Sequence, residues 1–273
     1  MKDNLLPLIA EPQQLAQHLD NDDLIIVDLC KTEQYIQAHV PGAIHMDYRH
    51  IVAAKPPVMG LLPEATQLQH IASNLGLTAD KHVIAYDEEG GGKAARLLWT
   101  LDAMGHPYLS LLNGGINAWL AEKQPIEATV NVANSQIEYP VKINEPAIAR
   151  KEYILQNLQN NSVAFLDARS PYEFSGEKKF SERAGRIPGA VNMDWVLMIN
   201  RDNHFKLHAA EKIQAMLTER AIKTDKEVIV YCQTHHRSAL TYIVLKSLGY
   251  EKVRGYPGSW SEWGNLTDTP VEL

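Results

Sequence analysis

One stretch of the sequence joins a nucleophile to groups that favour negative charge: Cys232-Gln233-Thr234-His235-His236-Arg237-Ser238. The apolar run Val228-Ile229-Val230-Tyr231 precedes it; Leu240, Ile243, Val244 and Leu248 follow at helical spacing, with Gly249 as a stop. The pattern predicts a strand, a loop and a helix, and the carboxyl end of a parallel strand is where open α/β sheets bind ligands. Loop amides, the helix dipole and Arg237 would all stabilise an anion there, so Cys232 is expected to ionise below the ordinary thiol range. Such a thiolate can attack sulfur, and a persulfide formed on it would keep its charged outer sulfur among the same donors. The plainer reading is a small buried hydrophobe, the usual fate of a free cysteine. Polar and basic neighbours argue against it.

The other loop residues are candidates for binding. His235 or His236 would contact an oxyanion or tune the thiolate, the alternative being exposed histidines without a role. Arg237 would hold the loop together or offer its guanidinium to an anionic substrate. Zinc held by Cys232 and the histidines is disfavoured by crowded spacing and the lack of a second nearby thiolate.

Elements that position the loop occur twice. His39-Val40-Pro41-Gly42-Ala43-Ile44-His45-Met46-Asp47-Tyr48 reads against Arg186-Ile187-Pro188-Gly189-Ala190-Val191-Asn192-Met193-Asp194-Trp195, identical at Pro, Gly, Ala, Met and Asp. Leu24–Asp28 matches Val163–Asp167, and His82–Asp87 matches Glu227–Cys232. Each half closes on a glycine turn leading to a tryptophan, Asn113–Trp119 and Gly255–Trp260. Short continuous apolar runs suit strands buried on both faces of a parallel sheet. The expected fold is therefore α/β: two tandem domains, each a mostly parallel sheet flanked by helices. Residues 1–123 form the first, 124–146 an extended linker, and 147–273 the second.

Composition narrows the function. The chain has 273 residues, 45% hydrophobic and 22% charged, with a formal charge of −7. That charge gives no general attraction for nucleic acid or an anionic membrane, so any anion site must be local. The start, Met1 to Leu8, lacks the layout of a signal peptide and no apolar stretch is long enough to span a bilayer, which leads us to expect a cytoplasmic protein. Gly90–Gly92 form no dinucleotide fingerprint, so neither cofactor nor metal is expected. Two cysteines, Cys30 and Cys232, are too few for a disulfide scaffold.

Residues spread over nearly the whole chain resemble the rhodanese superfamily. They are Asp167-Ala168-Arg169, Gly185–Asn192, Gly258-Ser259-Trp260-Ser261-Glu262-Trp263 and the Cys232–Ser238 loop, which is similar to that of bacterial tandem-domain thiosulfate enzymes of the Azotobacter type. The resemblance implies a sulfurtransferase that moves sulfur from thiosulfate, or a similar small anionic donor, through a persulfide on Cys232. Cyanide or a thiol, including one on a protein, would accept it, and a monomer would suffice. Neither the vertebrate-type loop Cys-Arg-Lys-Gly-Val-Thr nor the mercaptopyruvate-type loop Cys-Gly-Ser-Gly-Val-Thr is present, and Glu173 stands where many of these enzymes have a second arginine. Alternatives are 3-mercaptopyruvate as donor; a cysteine-dependent phosphatase, whose loop carries one residue more between Cys and Arg than the four here; and a binding or regulatory module.

Four more residues are supporting candidates. Asp167 and Arg169 read as a structural ion pair more readily than as substrate contacts, and Arg186 is similar. The resemblance puts the segment of Trp195 near the pocket mouth, although a tryptophan beside an apolar strand is commonly core. In the first half Asp87 takes the place of Cys232 and Glu88 and Glu89 follow, so that copy should be catalytically silent. Cys30 aligns with Arg169 and reads as a structural thiol; a resolving disulfide with Cys232 would need Cα atoms within about 7 Å.

Overall fold

The structure is a computed structural model that describes residues 4–133 and 139–273. Met1–Asp3, from the amino-terminal reading, and positions 134–138 of the expected linker lie outside the described residues. The chain forms two compact units: residues 1–51, 63–143 and 199–207 make the first, and residues 52–62, 144–198 and 208–273 the second. Each half thus lends a hairpin segment to the other unit, which a linear division of the sequence does not anticipate.

In the first unit five strands pair in parallel in the order Ile9–Ala10, Leu109–Leu112, His82–Tyr86, Leu24–Asp28 and Ile44–His45. We call Leu24–Asp28 β1 and His82–Tyr86 β2. All five residues of β2 are buried, as the continuous apolar run requires of a strand covered on both faces. Helix α1, Gly92–Ala103, follows β2 through the Asp87 loop.

The second unit repeats this plan with four parallel strands in the order Val253–Gly255, Glu227–Tyr231, Val163–Asp167 and Val191–Asn192. Val163–Asp167 is β3 and Glu227–Tyr231 is β4. The short helix α2, Pro171–Phe174, follows β3, and α3, Arg237–Ser247, follows the cysteine loop. Residues 238–245 of α3 are buried all round, and Gly249 ends the turn beyond it at φ +85°.

The duplication extends to single hydrogen bonds. Tyr86 in β2 sits opposite Asp28, and its hydroxyl accepts from the Val40 amide at 3.1 Å. Tyr231 in β4 sits opposite Asp167 and accepts from Ile187 at 3.2 Å. Trp119 donates to the Pro125 carbonyl at 2.7 Å, and Trp263 to that of Pro270 at 2.8 Å. Trp263, not Trp260, is therefore the counterpart of Trp119. The Trp260 amide donates to the Cys232 carbonyl, as Ile116 does to Asp87, so Trp260 matches Ile116.

The exchanged segment in the second unit is an antiparallel hairpin, Ala53–Lys55 with Val58–Leu61. The Met59 amide donates to Ser261 Oγ at 3.1 Å, and that hydroxyl lies 2.9 Å from the Met59 carbonyl. Gly60, at φ +76°, lies so close to the cysteine loop that a Cβ there would sit 2.1 Å from the Thr234 carbonyl oxygen.

Candidate active site

Cys232 is the first residue beyond β4. Its amide lies 3.3 Å from Ser259 Oγ and its carbonyl accepts from Trp260, while the Gln233 carbonyl accepts from Ser261, so the turn at 258–261 pins the start of the loop. His235 turns the chain at φ +54°, a left-handed geometry rarely adopted without a compensating contact. Its buried ring supplies one, Nδ1 to Ser238 Oγ at 2.8 Å.

This loop closes around the sulfur. Cys232 has no solvent exposure. Burial pushes the thiol up, but Arg237's charge, the Ser238 hydroxyl and the amides of Ser238 and Thr234 outweigh it and hold the thiol below its ordinary range. Burial here is in a ring of donors at a helix start, which differs electrostatically from burial in an apolar core.

The corresponding loop of the first unit shows what such a ring holds. Asp87 is fully buried; its Oδ1 accepts from the amides of Glu89 at 2.9 Å and Gly91 at 2.8 Å, and its Oδ2 from Ala94 at 3.0 Å. A carboxyl group thus fills the strand-to-helix loop in the copy that lacks the cysteine; burial and the neighbouring Glu89 push it above the ordinary carboxylate range against the pull of the amides. Lys93 pairs with Glu88 at 2.7 Å and approaches Glu89 at 3.6 Å.

Beside Cys232, Gln233, Thr234 and Arg237 line a pocket of about 500 Å³ in the second unit, with Glu173, Met59 and Phe180 among its other walls. Arg237 and Glu173 form a two-pronged ion pair, Nη1 to Oε2 at 2.7 Å and Nη2 to Oε1 at 2.8 Å. Ser170, the N-cap of α2, donates its hydroxyl to the same carboxylate at 2.8 Å. Although burial pushes Glu173 up, Arg237 and Ser170 overcome it and bring its carboxyl down to about 2.

The supporting candidates are placed apart from this pocket. Asp167 and Arg169 form a buried ion pair at 2.6 Å, and Arg169 also donates to the Gly185 carbonyl and lies 4.6 Å over the Trp260 ring. They brace the end of β3. Arg186 pairs with Glu272 at 2.6 Å and stacks on Phe174. Trp195 meets the loop through His236, ring centroids 6.0 Å apart. Cys30 is a free, buried thiol pushed far up by burial and by Asp28. Cys232 is also free. Among the described residues no group of three His, Cys, Asp or Glu is placed to hold a metal ion, and no helix is long and apolar enough to cross a membrane.

Sequence reasoning missed the pocket's walls. Ser261 lay within a quoted landmark, and Glu173 was noted only as a departure from the expected arginine; its partner could have been sought among the loop's cations. Met59 carried no signal, because it comes from the other half of the chain.

Two copies of one parallel α/β unit, with cysteine at the end of a central strand in one and aspartate in the other, define a tandem protein of the rhodanese fold. The chain belongs to that family: the Rhodanese-like domain matches residues 11–122 and again 151–266. It is 41% identical over 268 residues to the thiosulfate sulfurtransferases of Pseudomonas aeruginosa and Azotobacter vinelandii, covering 98% of this chain and of each relative. Its fold also matches the anaerobic ergothioneine biosynthesis enzyme of Chlorobium limicola, with a TM-score of 0.88 at 20% identity, over 100% of this chain and 72% of that one.

Proposed function

We propose that this protein is a thiosulfate sulfurtransferase whose Cys232 carries the sulfur as a persulfide. The Cys232 thiolate attacks the outer sulfur of thiosulfate; a new S–S bond forms, the donor's S–S bond breaks and its electron pair leaves with sulfite. Cyanide or a thiolate then attacks the outer sulfur of the persulfide, which regenerates the Cys232 thiolate. The ring of donors carries negative charge throughout, first on Cys232 and then on the added sulfur.

The observation that carries this reading is the lowered Cys232 thiol, held down in spite of complete burial. The buried Asp87 carboxyl in the sister loop supports it, because its oxygens accept amides of the same strand-to-helix turn. Relatives at 41% identity that bear the name thiosulfate sulfurtransferase support the choice of donor.

The first unit is catalytically silent in this account, and the expected linker at 124–146 runs mostly along that unit, up to residue 143. Residues 147–273 carry the reaction, assisted by the hairpin at 52–62. Two unpaired cysteines suit a cytoplasmic location.

Steady-state kinetics test the mechanism. Parallel double-reciprocal lines for thiosulfate and cyanide are expected, with activity abolished in Cys232→Ala. Sulfur transfer by that variant would refute the assignment.

A further inference from the structure

Arg237 is the guanidinium that lines the pocket beside the cysteine loop, and its planar edge is already occupied. Both oxygens of Glu173 face both terminal nitrogens of Arg237 at 2.7 and 2.8 Å, the fork-to-fork geometry by which arginine grips a carboxylate. Glu173 is itself 4% exposed and cannot swing away without breaking the Ser170 hydroxyl and amide contacts at 2.8 and 3.2 Å. Both members of the pair line the pocket.

We propose that Glu173 is a specificity-determining residue that acts as a built-in carboxylate, closing Arg237 to donors that carry a carboxylate of their own. The inference rests on the sulfurtransferase reading above. A 3-mercaptopyruvate-type donor presents a planar carboxylate, whose best partner is the edge that Glu173 fills. To bind there it must displace a buried, doubly hydrogen-bonded group or accept a poorer contact. Thiosulfate presents a tetrahedral head that has no need of a planar fork and can take single donors from the loop. Viewed from the pocket the pair is close to neutral, so the two donors are ranked by shape more than by charge.

The test uses the full-length protein and its Glu173→Gln variant, measuring kcat/KM for thiosulfate and for 3-mercaptopyruvate with cyanide as acceptor. The ratio of mercaptopyruvate to thiosulfate efficiency is expected to rise about tenfold, through KM for mercaptopyruvate, as one charge-assisted contact becomes available. Pyruvate should also become a stronger competitive inhibitor in the variant. If Glu173→Gln fails to fold, Ser170→Ala loosens the same carboxylate and should move the ratio in the same direction by a smaller factor. An unchanged ratio and unchanged pyruvate inhibition, in whichever variant folds and remains active, would overturn the proposal. Failure of the wild type to form a persulfide from either donor would instead refute the underlying reading.

Discussion

Asp87 and Cys232 stand at the same point of two copies of one loop, each the first residue after a buried parallel strand and each closed in by backbone amides. The duplication therefore contains its own comparison. In one copy the ring is filled by a side chain that ends in a carboxyl group. In the other the side chain is shorter and ends in a thiol, which leaves the ring's negative-charge preference to act on sulfur.

Arg237 is the leading charge that lowers the Cys232 thiol, ahead of the Ser238 and Thr234 contacts. Replacing Arg237 with Ala should move the pH at which the thiol becomes alkylatable upward, toward the ordinary cysteine range. The measurement is the rate of iodoacetamide labelling of Cys232 against pH. An unmoved curve would assign the lowered value to the loop amides alone.

Glu173 ionises in the folded protein at about 2, below the ordinary carboxylate range. A depressed carboxyl stabilises the fold above its unfolded value and loses that contribution as pH falls toward the folded one. Acidification from about pH 5 to about pH 2 should therefore cost the wild type an amount on the order of 3 kcal/mol from this group. Glu173→Gln should start less stable, with a smaller acid-dependent loss, as read from urea midpoints across that range.

Gly60 and Gly42 share nearly the same backbone, φ +76° and +75°, but a Cβ at Gly60 would meet the Thr234 carbonyl at 2.1 Å while one at Gly42 meets nothing within 4 Å. Gly42→Ala should cost about 1 kcal/mol, the price of a left-handed residue. Gly60→Ala should cost roughly 2–3 kcal/mol and also lower kcat, since the clash falls on the cysteine loop. Equal thermal shifts and unaltered turnover in both variants would show that the approach of the hairpin is slack.

Asp28 matches Asp167 but has Cys30, and no arginine, two residues on. Burial raises its carboxyl above the ordinary range. A raised carboxyl favours the fold below its unfolded value and loses that contribution as pH rises through the folded one, so at neutral pH Asp28 is a cost. Asp28→Asn keeps an acceptor for the Cys30 amide, now at 2.6 Å. It should raise neutral-pH stability, and by less near pH 4. Scanning calorimetry at the two pH values checks this.

The strands, the helix after Cys232 and the duplication were legible because they are local: β4, the loop and α3 are contiguous, and the paired tyrosines and aspartates recur in register. The site was legible only to the extent that it is one loop. Arg237 and Glu173 are 64 positions apart, and Ser261 and Met59 are 202 apart. The latter pairing depends on an exchange of hairpins that hydrophobic periodicity does not encode. Tryptophan spacing misled for a similar reason, since the hydrogen bond to the following proline, not the distance from the glycine turn, makes Trp263 the partner of Trp119. The polar run after Cys232 argued against an apolar setting for the thiol, and the buried sulfur indeed meets the Ser238 hydroxyl and the amides of Ser238 and Thr234.

The central claim is that residue 232 accepts one sulfur atom and keeps it. Mass spectrometry of the intact protein and of the peptide that contains Cys232, after incubation with thiosulfate and removal of excess, tests this directly. A gain of one sulfur on that peptide, discharged by cyanide and missing from Cys232→Ser, is the predicted result. An unchanged mass on Cys232, with thiosulfate still consumed, would contradict the account.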